Sequence, residues 1–249
     1  MNASTAAIIF DDLTLGYDRH PAVHHLSGRI LAGVPTAIVG PNGAGKSTLV
    51  KAIAGLLTPL GGAIRFAAGR GTIAYLPQIS EIDVDFPMSV YDFVAMGLWR
   101  RVGAFGGIGR EAEREIGAAI TAVGLAGFET RPIGTLSGGQ MQRTRFARLI
   151  LQDAGTLLLD EPFNALDQTT TEDLVDLVDR WRDEGRTVVA VLHDIELVRR
   201  RFPETLLLAR EAVAAGSTAE VVSDGNLAAA RRMIEAFDMH AGVCARPAA

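Results

Sequence analysis

Residues 40–48, Gly-Pro-Asn-Gly-Ala-Gly-Lys-Ser-Thr, fit the phosphate-binding loop pattern in which two glycines close on Lys-Ser. Gly40, Gly43 and Gly45 can take positive φ and let the backbone come close to a polyphosphate. Successive N–H groups of such a loop, with Asn42 and Thr48 in the same run, form an anion-binding nest at a helix N-terminus. In that arrangement Lys46 reaches between the β- and γ-phosphates and Ser47 holds Mg²⁺.

A second stretch, Leu136 to Gln140, offers the same kind of chemistry. Ser137, Gly138 and Gly139 precede a helix and present exposed N–H groups, a hydroxyl and a helix start. Taken alone it also reads as an ordinary capped helix. Farther on, Asp160 and Glu161 end an apolar run. Beside a phosphate loop, adjacent carboxylates divide the work: Asp160 can hold Mg²⁺, and Glu161 can orient or deprotonate an attacking water. His193 ends another apolar run, and ligands of open α/β sheets bind at the carboxyl ends of strands.

The elements that must position these groups are legible in outline. Residues 34–39 read as a short buried strand, and 46–57 as a helix with Leu49, Ile53 and Leu56 on one face. Residues 7–17 read as a strand with an irregularity at Asp11-Asp12. Tyr17 is either a half-buried strand residue or a platform for a base, while His24 and His25 point to opposite faces of a strand and make a poor chelating pair. Residues 63–67 and 72–76 suggest a hairpin turning at Gly69-Arg70-Gly71, followed by Gln78. Beyond it, residues 80–152 turn helical. An acidic and aromatic loop spans 83–87, Ser89 caps a helix running to about Leu98, and 102–109 is a glycine-rich loop. Residues 110–123 form an amphipathic helix with an acidic start. After the second anion loop comes a helix carrying Arg143, Arg145 and Arg148. Buried strands at 156–159 and 187–192 flank a helix with Leu174, Leu177, Val178 and Trp181 at helical spacing, Trp181 being core. Two short strands at 205–209 and 211–215, a capping box of Ser217 with Glu220, and a helix at 226–238 complete the chain.

The 249 residues suffice for one large domain or two intimate ones. A net charge of −5 argues against nucleic acid as a partner. The single cysteine, Cys244, excludes a disulfide framework and suits a cytosolic setting. No basic segment followed by an apolar run opens the chain, and the longest apolar runs fall short of the roughly 20 residues that span a bilayer. A role at a membrane would need another chain to hold this one there.

Together the phosphate loop, Gln78, Leu136–Gln140, Leu157–Glu161, Asn164–Asp167 and His193 resemble the nucleotide-binding subunits of ABC transporters, in order and in spacing, from about Ile8 to Val222. The resemblance implies an α/β fold. Its RecA-like P-loop core and antiparallel β layer would take residues 1–79 and 153–225, its helical signature subdomain about 80–152, and residues 226–249 would be a C-terminal helix and tail. It implies ATP and Mg²⁺ as cofactors and two copies facing head to tail, each ATP lying between the phosphate loop of one and Ser137–Gly139 of the other, next to Gln140. Carried over by position, Tyr17 stacks on adenine, Gln78 senses Mg²⁺ and water and links to the transporter, Glu161 is the general base, His193 contacts the γ-phosphate, and Asp167 communicates across the dimer. Two transmembrane permease subunits would hold the pair at the cytoplasmic face of the inner membrane, with a periplasmic metal-binding protein as an indirect partner.

Residues 83–99 are similar to the zinc and manganese uptake group, and residues 11–28 strengthen a zinc reading. Manganese or iron-chelate uptake and lipoprotein release share the same ATP chemistry and differ in partner. A soluble relative acting on DNA or ribosomes fits poorly, because the chain has one cassette, no heptad run and an acidic balance.

Overall fold

The computed structural model describes residues 5–17, 20–78, 86–103 and 106–235. The turn at 18–19, most of the acidic loop before Phe86, part of the glycine-rich loop, Cys244 and the end of the anticipated C-terminal helix therefore lie outside the described residues.

Two sheets form the frame. Strands β1 (Ala6–Tyr17) and β2 (His20–Leu31) make a long antiparallel pair, and β4 (Gly61–Phe66) adds to the free edge of β1. Between them in sequence come β3 (Thr36–Val39) and helix α1 (Lys46–Ala54). The second sheet has the order β5-β6-β7-β3-β8-β9, with β5 (Ile73–Leu76), β6 (Thr156–Asp160), β7 (Thr187–Val191), β8 (Glu204–Ala209) and β9 (Glu211–Ser217). Its first five strands run parallel and β9 is antiparallel.

Alternation along the buried strands sends side chains into two separate cores. Ile38, Leu158, Val189, Val191, Leu206 and Leu208 face α1 and the small antiparallel sheet. Ala37, Val39, Leu157, Leu159, Val188, Ala190 and Leu207 face the helices on the other side. These include α2 (Val90–Ala95), α4 (Arg110–Ala122), α5 (Gly138–Leu151), α6 (Gln168–Asp183) and α7 (Ile195–Arg201), with a short α3 (Trp99–Val102) after a 3₁₀ turn at Met96–Leu98. The terminal helices α8 (Thr218–Val221) and α9 (Asp224–Glu235) close the same side. Trp181 of α6 is core, stacked on Phe146 of α5 at 5.8 Å between ring centroids.

The structure corrects three local expectations. Residues 61–66 and 73–76 form no hairpin, because β4 pairs with β1 while β5 pairs in parallel with β6. The reason is burial: Ala74 and Leu76 need the cover that a strand of the large sheet receives, whereas β4 keeps partly exposed residues on both faces. Helix α1 stops at Ala54 because Gly55 takes φ 80° as a left-handed cap, which leaves Leu56 66% exposed rather than on the core face. Ser217 makes no side-chain capping bond, so the expected box with Glu220 does not form. The irregularity in β1 is present: the register slips between Phe10 and Leu13, and Asp12 takes φ 46°. Ser89 caps α2 through a reciprocal box with Asp92.

Candidate nucleotide site

The phosphate loop joins β3 to α1, and its geometry follows from its glycines. Gly40, Gly43 and Gly45 have φ of 150°, 77° and 90°. A Cβ on Gly40 would lie 1.9 Å from the Leu208 carbonyl oxygen, and one on Gly45 would lie 2.5 Å from Val23 and 2.6 Å from the Ala22 carbonyl. No side chain fits at either position. Helix α1 begins at Lys46 with no acidic residue in its first turn, so its positive end is not answered by a side chain.

Lys46 is 6% exposed, and its ammonium donates to the carbonyls of Gly40 and Pro41, both at 2.9 Å. Burial lowers its pKa, opposed by the charges of Glu161 and Asp160. The Ser47 hydroxyl donates to Asp160 Oδ1 at 3.0 Å, and the Tyr75 hydroxyl reaches Asp160 Oδ2 at 3.4 Å. Asp160, only 1% exposed, ends β6, and burial raises its pKa against the Ser47 hydrogen bond. A cleft of about 390 Å³ lies over the loop, lined by residues 42–48 together with Ala22, Gln78 and Glu161.

Glu161 follows in left-handed backbone, φ 51°, an uncommon state for a residue with a side chain. Its N–H donates to the Val191 carbonyl at 3.2 Å, which ties the turn to the end of β7. One carboxylate oxygen lies 2.6 Å from His193 Nε2, and the other accepts from Asn164 Nδ2 at 3.2 Å. His193 also lines a small cavity with Gly40 and Pro41. Glu161, His193, Gln78, Asp160 and the loop thus gather at one sheet edge.

The remaining candidates sit elsewhere. Tyr17 is 52% exposed at the tip of the β1–β2 pair, opposite His20. Ser137 caps α5 in a reciprocal box with Gln140: its hydroxyl accepts from the Gln140 N–H at 3.2 Å, and its own N–H donates to Gln140 Oε1 at 3.0 Å. Ser137 and Gly138 are exposed, α5 has no acid in its first turn, and none of residues 137–140 lines the cleft over the phosphate loop. Asp167 caps α6 by accepting from the Thr170 N–H at 2.9 Å and its hydroxyl at 2.7 Å; the backbone bond is the larger cause of its lowered pKa. His24 and His25 do not act as a pair: His25 Nδ1 meets Asp12 at 3.0 Å, and His24 is engaged through its backbone N–H to the Arg210 carbonyl. Among the described residues no cluster of three or more His, Cys, Asp or Glu could hold a metal ion. Tyr75, which supports Asp160, carries no motif signal beyond being a lone tyrosine in an otherwise apolar strand, whereas Asn164, which supports Glu161, opens the Asn164–Asp167 motif without a role of its own being implied there.

A glycine-cradled loop with a buried lysine at a parallel sheet edge, beside two carboxylates and a histidine, defines a P-loop nucleotide-binding ATPase. The ABC transporter family model matches residues 23–164, and the chain belongs to that family. The zinc transport system ATP-binding protein TroB of Treponema pallidum is 39% identical over 229 residues, covering 90% of this chain and 86% of that protein. The manganese transport system ATP-binding protein MntB of Listeria monocytogenes is 38% identical over 217 residues, covering 85% and 90%. Among solved structures, an ABC transporter in an inward-facing conformation superposes with TM-score 0.82 at 28% identity, over 92% of this chain and 90% of that one. A nucleotide-free ATP-binding cassette gives TM-score 0.79 at 19% identity, over 91% and 99%, which shows the shared fold.

Buried Asp160 sets a pH-dependent stability. Its raised folded pKa means that the folded chain holds this proton more tightly than the unfolded chain does. The associated stability is present in acid and is lost as pH rises through the folded pKa. Asp160→Asn should therefore melt higher than wild type at pH 7 in nucleotide-free buffer, with the gap closing as the pH falls. A lower melting temperature for Asp160→Asn at pH 7 would contradict this.

Proposed function

We propose that this chain is the ATP-hydrolysing subunit of an importer for a divalent transition metal, with zinc as the cargo. The observation that carries the ATPase chemistry is the Glu161–His193 pair at the edge of the phosphate-loop cleft. Residues 40–48 cradle the phosphates through backbone N–H groups, and Lys46, held by loop carbonyls, exchanges these for the β- and γ-phosphates. Tyr17 offers a face to adenine. Ser47 and Asp160, with Gln78, fit a Mg²⁺ site: a hydroxyl and a carboxylate already 3.0 Å apart are hard oxygen donors. When bound, Mg²⁺ neutralises phosphate charge. Glu161 orients and deprotonates the attacking water, held in place by its own strained turn, Asn164 and His193. His193 then faces the γ-phosphate.

Ser137, Gly138 and Gly139 form a second anion-directed helix start, away from the cleft of their own chain. A head-to-tail homodimer brings that start to the nucleotide of the other copy, beside Gln140 and Asp167. The helical segment 90–151 then moves with the signature, and the strands with the phosphate loop. Among the described residues no helix is long and apolar enough to cross a membrane, so attachment to the cytoplasmic face goes through two permease subunits, which a periplasmic metal-binding protein supplies.

The surface fit for a permease is a groove of about 410 Å³ lined by Met96, Gly97, Trp99, Arg100, Arg148 and Gln152. Trp99 is 62% exposed there, while Arg148 lies over the Phe93 ring at 5.2 Å with its Nε buried and unbonded. An exposed tryptophan beside a desolvated cation suits a short partner helix carrying apolar and acidic side chains. The cargo reading rests on residues 11–28 and 83–99 and on relatives whose names carry both zinc and manganese.

Glu161→Gln should bind ATP with near wild-type affinity while turnover falls about 100-fold or more, measured by phosphate release. Normal turnover in this variant would remove Glu161 as the base. Trp99→Ala should raise the permease concentration needed for half-maximal ATPase stimulation by roughly tenfold, measured with permease in nanodiscs. An unchanged titration would place the docking surface elsewhere.

A further inference from the structure

Two buried polar side chains on α5 have no part in the chemistry above. Gln142 is 2% exposed and Arg145 is 3% exposed. They stand one helical turn apart, and Arg145 Nη1 donates to Gln142 Oε1 at 2.6 Å. From there the pair reaches two backbone carbonyls. Gln142 Nε2 donates to the Pro162 carbonyl at 2.6 Å, and Arg145 Nη2 donates to the Pro77 carbonyl. Pro162 directly follows Glu161, and Pro77 directly precedes Gln78.

We propose that Arg145 and Gln142 are positioning residues, a polar bridge through which the helix that starts at Ser137 sets the places of Gln78 and Glu161. The inference rests on the ATPase reading above. Strands β5 and β6 are neighbours, with Leu76 opposite Leu159, so the turns that carry Pro77 and Pro162 both follow the end of this pairing. The ladder ends there, and the α5 side chains accept the task of holding both turns. A cavity of about 350 Å³ beside the bridge is lined by Gln78, Gly138, Gln142, Arg145, Glu161 and Asn164, among others, so it joins the bridge to both candidate catalytic turns and to the signature.

The bridge is worth more than its packing. Arg145 lies in a helix whose other buried residues include Phe146, Ala147 and Leu149. Its guanidinium gives fixed directions: one nitrogen to Gln142, another to Pro77. Any rotation of α5 toward a nucleotide on a second copy pulls on both carbonyls together. Binding at Ser137 is thereby felt at Gln78 and Glu161 through rigid, hydrogen-bonded parts rather than through a flexible loop.

The test uses the full-length chain and compares wild type, Arg145→Met, Arg145→Lys and Glu161→Gln, each assayed well below its own melting temperature. Arg145→Met keeps the volume and removes the donors. It should bind a fluorescent ATP analogue within about twofold of wild type, while kcat falls roughly 10- to 100-fold at little change in KM, the signature of misplaced catalytic groups. Arg145→Lys, which can still reach one carbonyl, should recover part of kcat. A double variant with Gln142→Leu should be no slower than Arg145→Met, because the two act as one unit. A merely structural Arg145 would lower the melting temperature and leave kcat unchanged, and that result overturns the proposal. If wild type hydrolyses ATP and Glu161→Gln does not, while Arg145→Met matches wild type, the bridge alone fails. A wild-type chain that hydrolyses no ATP would instead remove the reading on which the bridge rests.

Discussion

The structure depends on one close approach. The backbone at Gly40 presses against the Leu208 carbonyl, and at Gly45 against Ala22 and Val23, with no room for a single Cβ at either point. That contact joins the phosphate loop to β8 on one side and to the β2 end of the antiparallel sheet on the other. The Arg210 N–H completes it by donating to the Ala44 carbonyl at 3.0 Å, while the Arg210 side chain reaches the Pro21 carbonyl at 2.6 Å. The loop is therefore clamped before any ligand arrives, which is what preorganised anion binding requires.

Holding the loop there has consequences for everything at the same sheet edge. Asp160 and Lys46 are both desolvated, their pKa values pushed in opposite directions by the same burial. Glu161 is held in left-handed backbone. These are local losses of stability placed where nucleotide chemistry would recover them, and they sit on two cores that are otherwise apolar. Strand alternation supplies the rest: each buried strand commits one face to each core and so delivers its terminal residue to the edge in a defined direction.

Much of this was legible in residue order. The phosphate loop, the carboxylate pair and the strand-final histidine each carry their own physics, and the strands under them are short apolar runs of β-branched and leucine residues. What escaped was non-local. Nothing near 61–76 says that two adjacent strands part company into different sheets; that is decided by which surfaces remain to be covered. Leu56 fits the helical period of α1 in sequence, but the backbone turns left-handed at Gly55 and carries it off the core face. Arg145 read as one of three arginines on a helix. Its burial, and its grip on Pro77, depend on β5 and β6 lying side by side beneath α5, a fact of topology rather than of spacing.

In the proposed assembly, nucleotide is held between the phosphate loop of one copy and the Ser137 helix start of another. The most direct measurement is the mass in solution of the Glu161→Gln chain, by light scattering, with and without ATP and Mg²⁺, alongside the same chain carrying Ser137→Arg. The account predicts that ATP doubles the mass of the first protein and leaves the second a monomer that still binds ATP. Equal dimerisation of both, or a Glu161→Gln chain that stays monomeric with ATP bound, would contradict it.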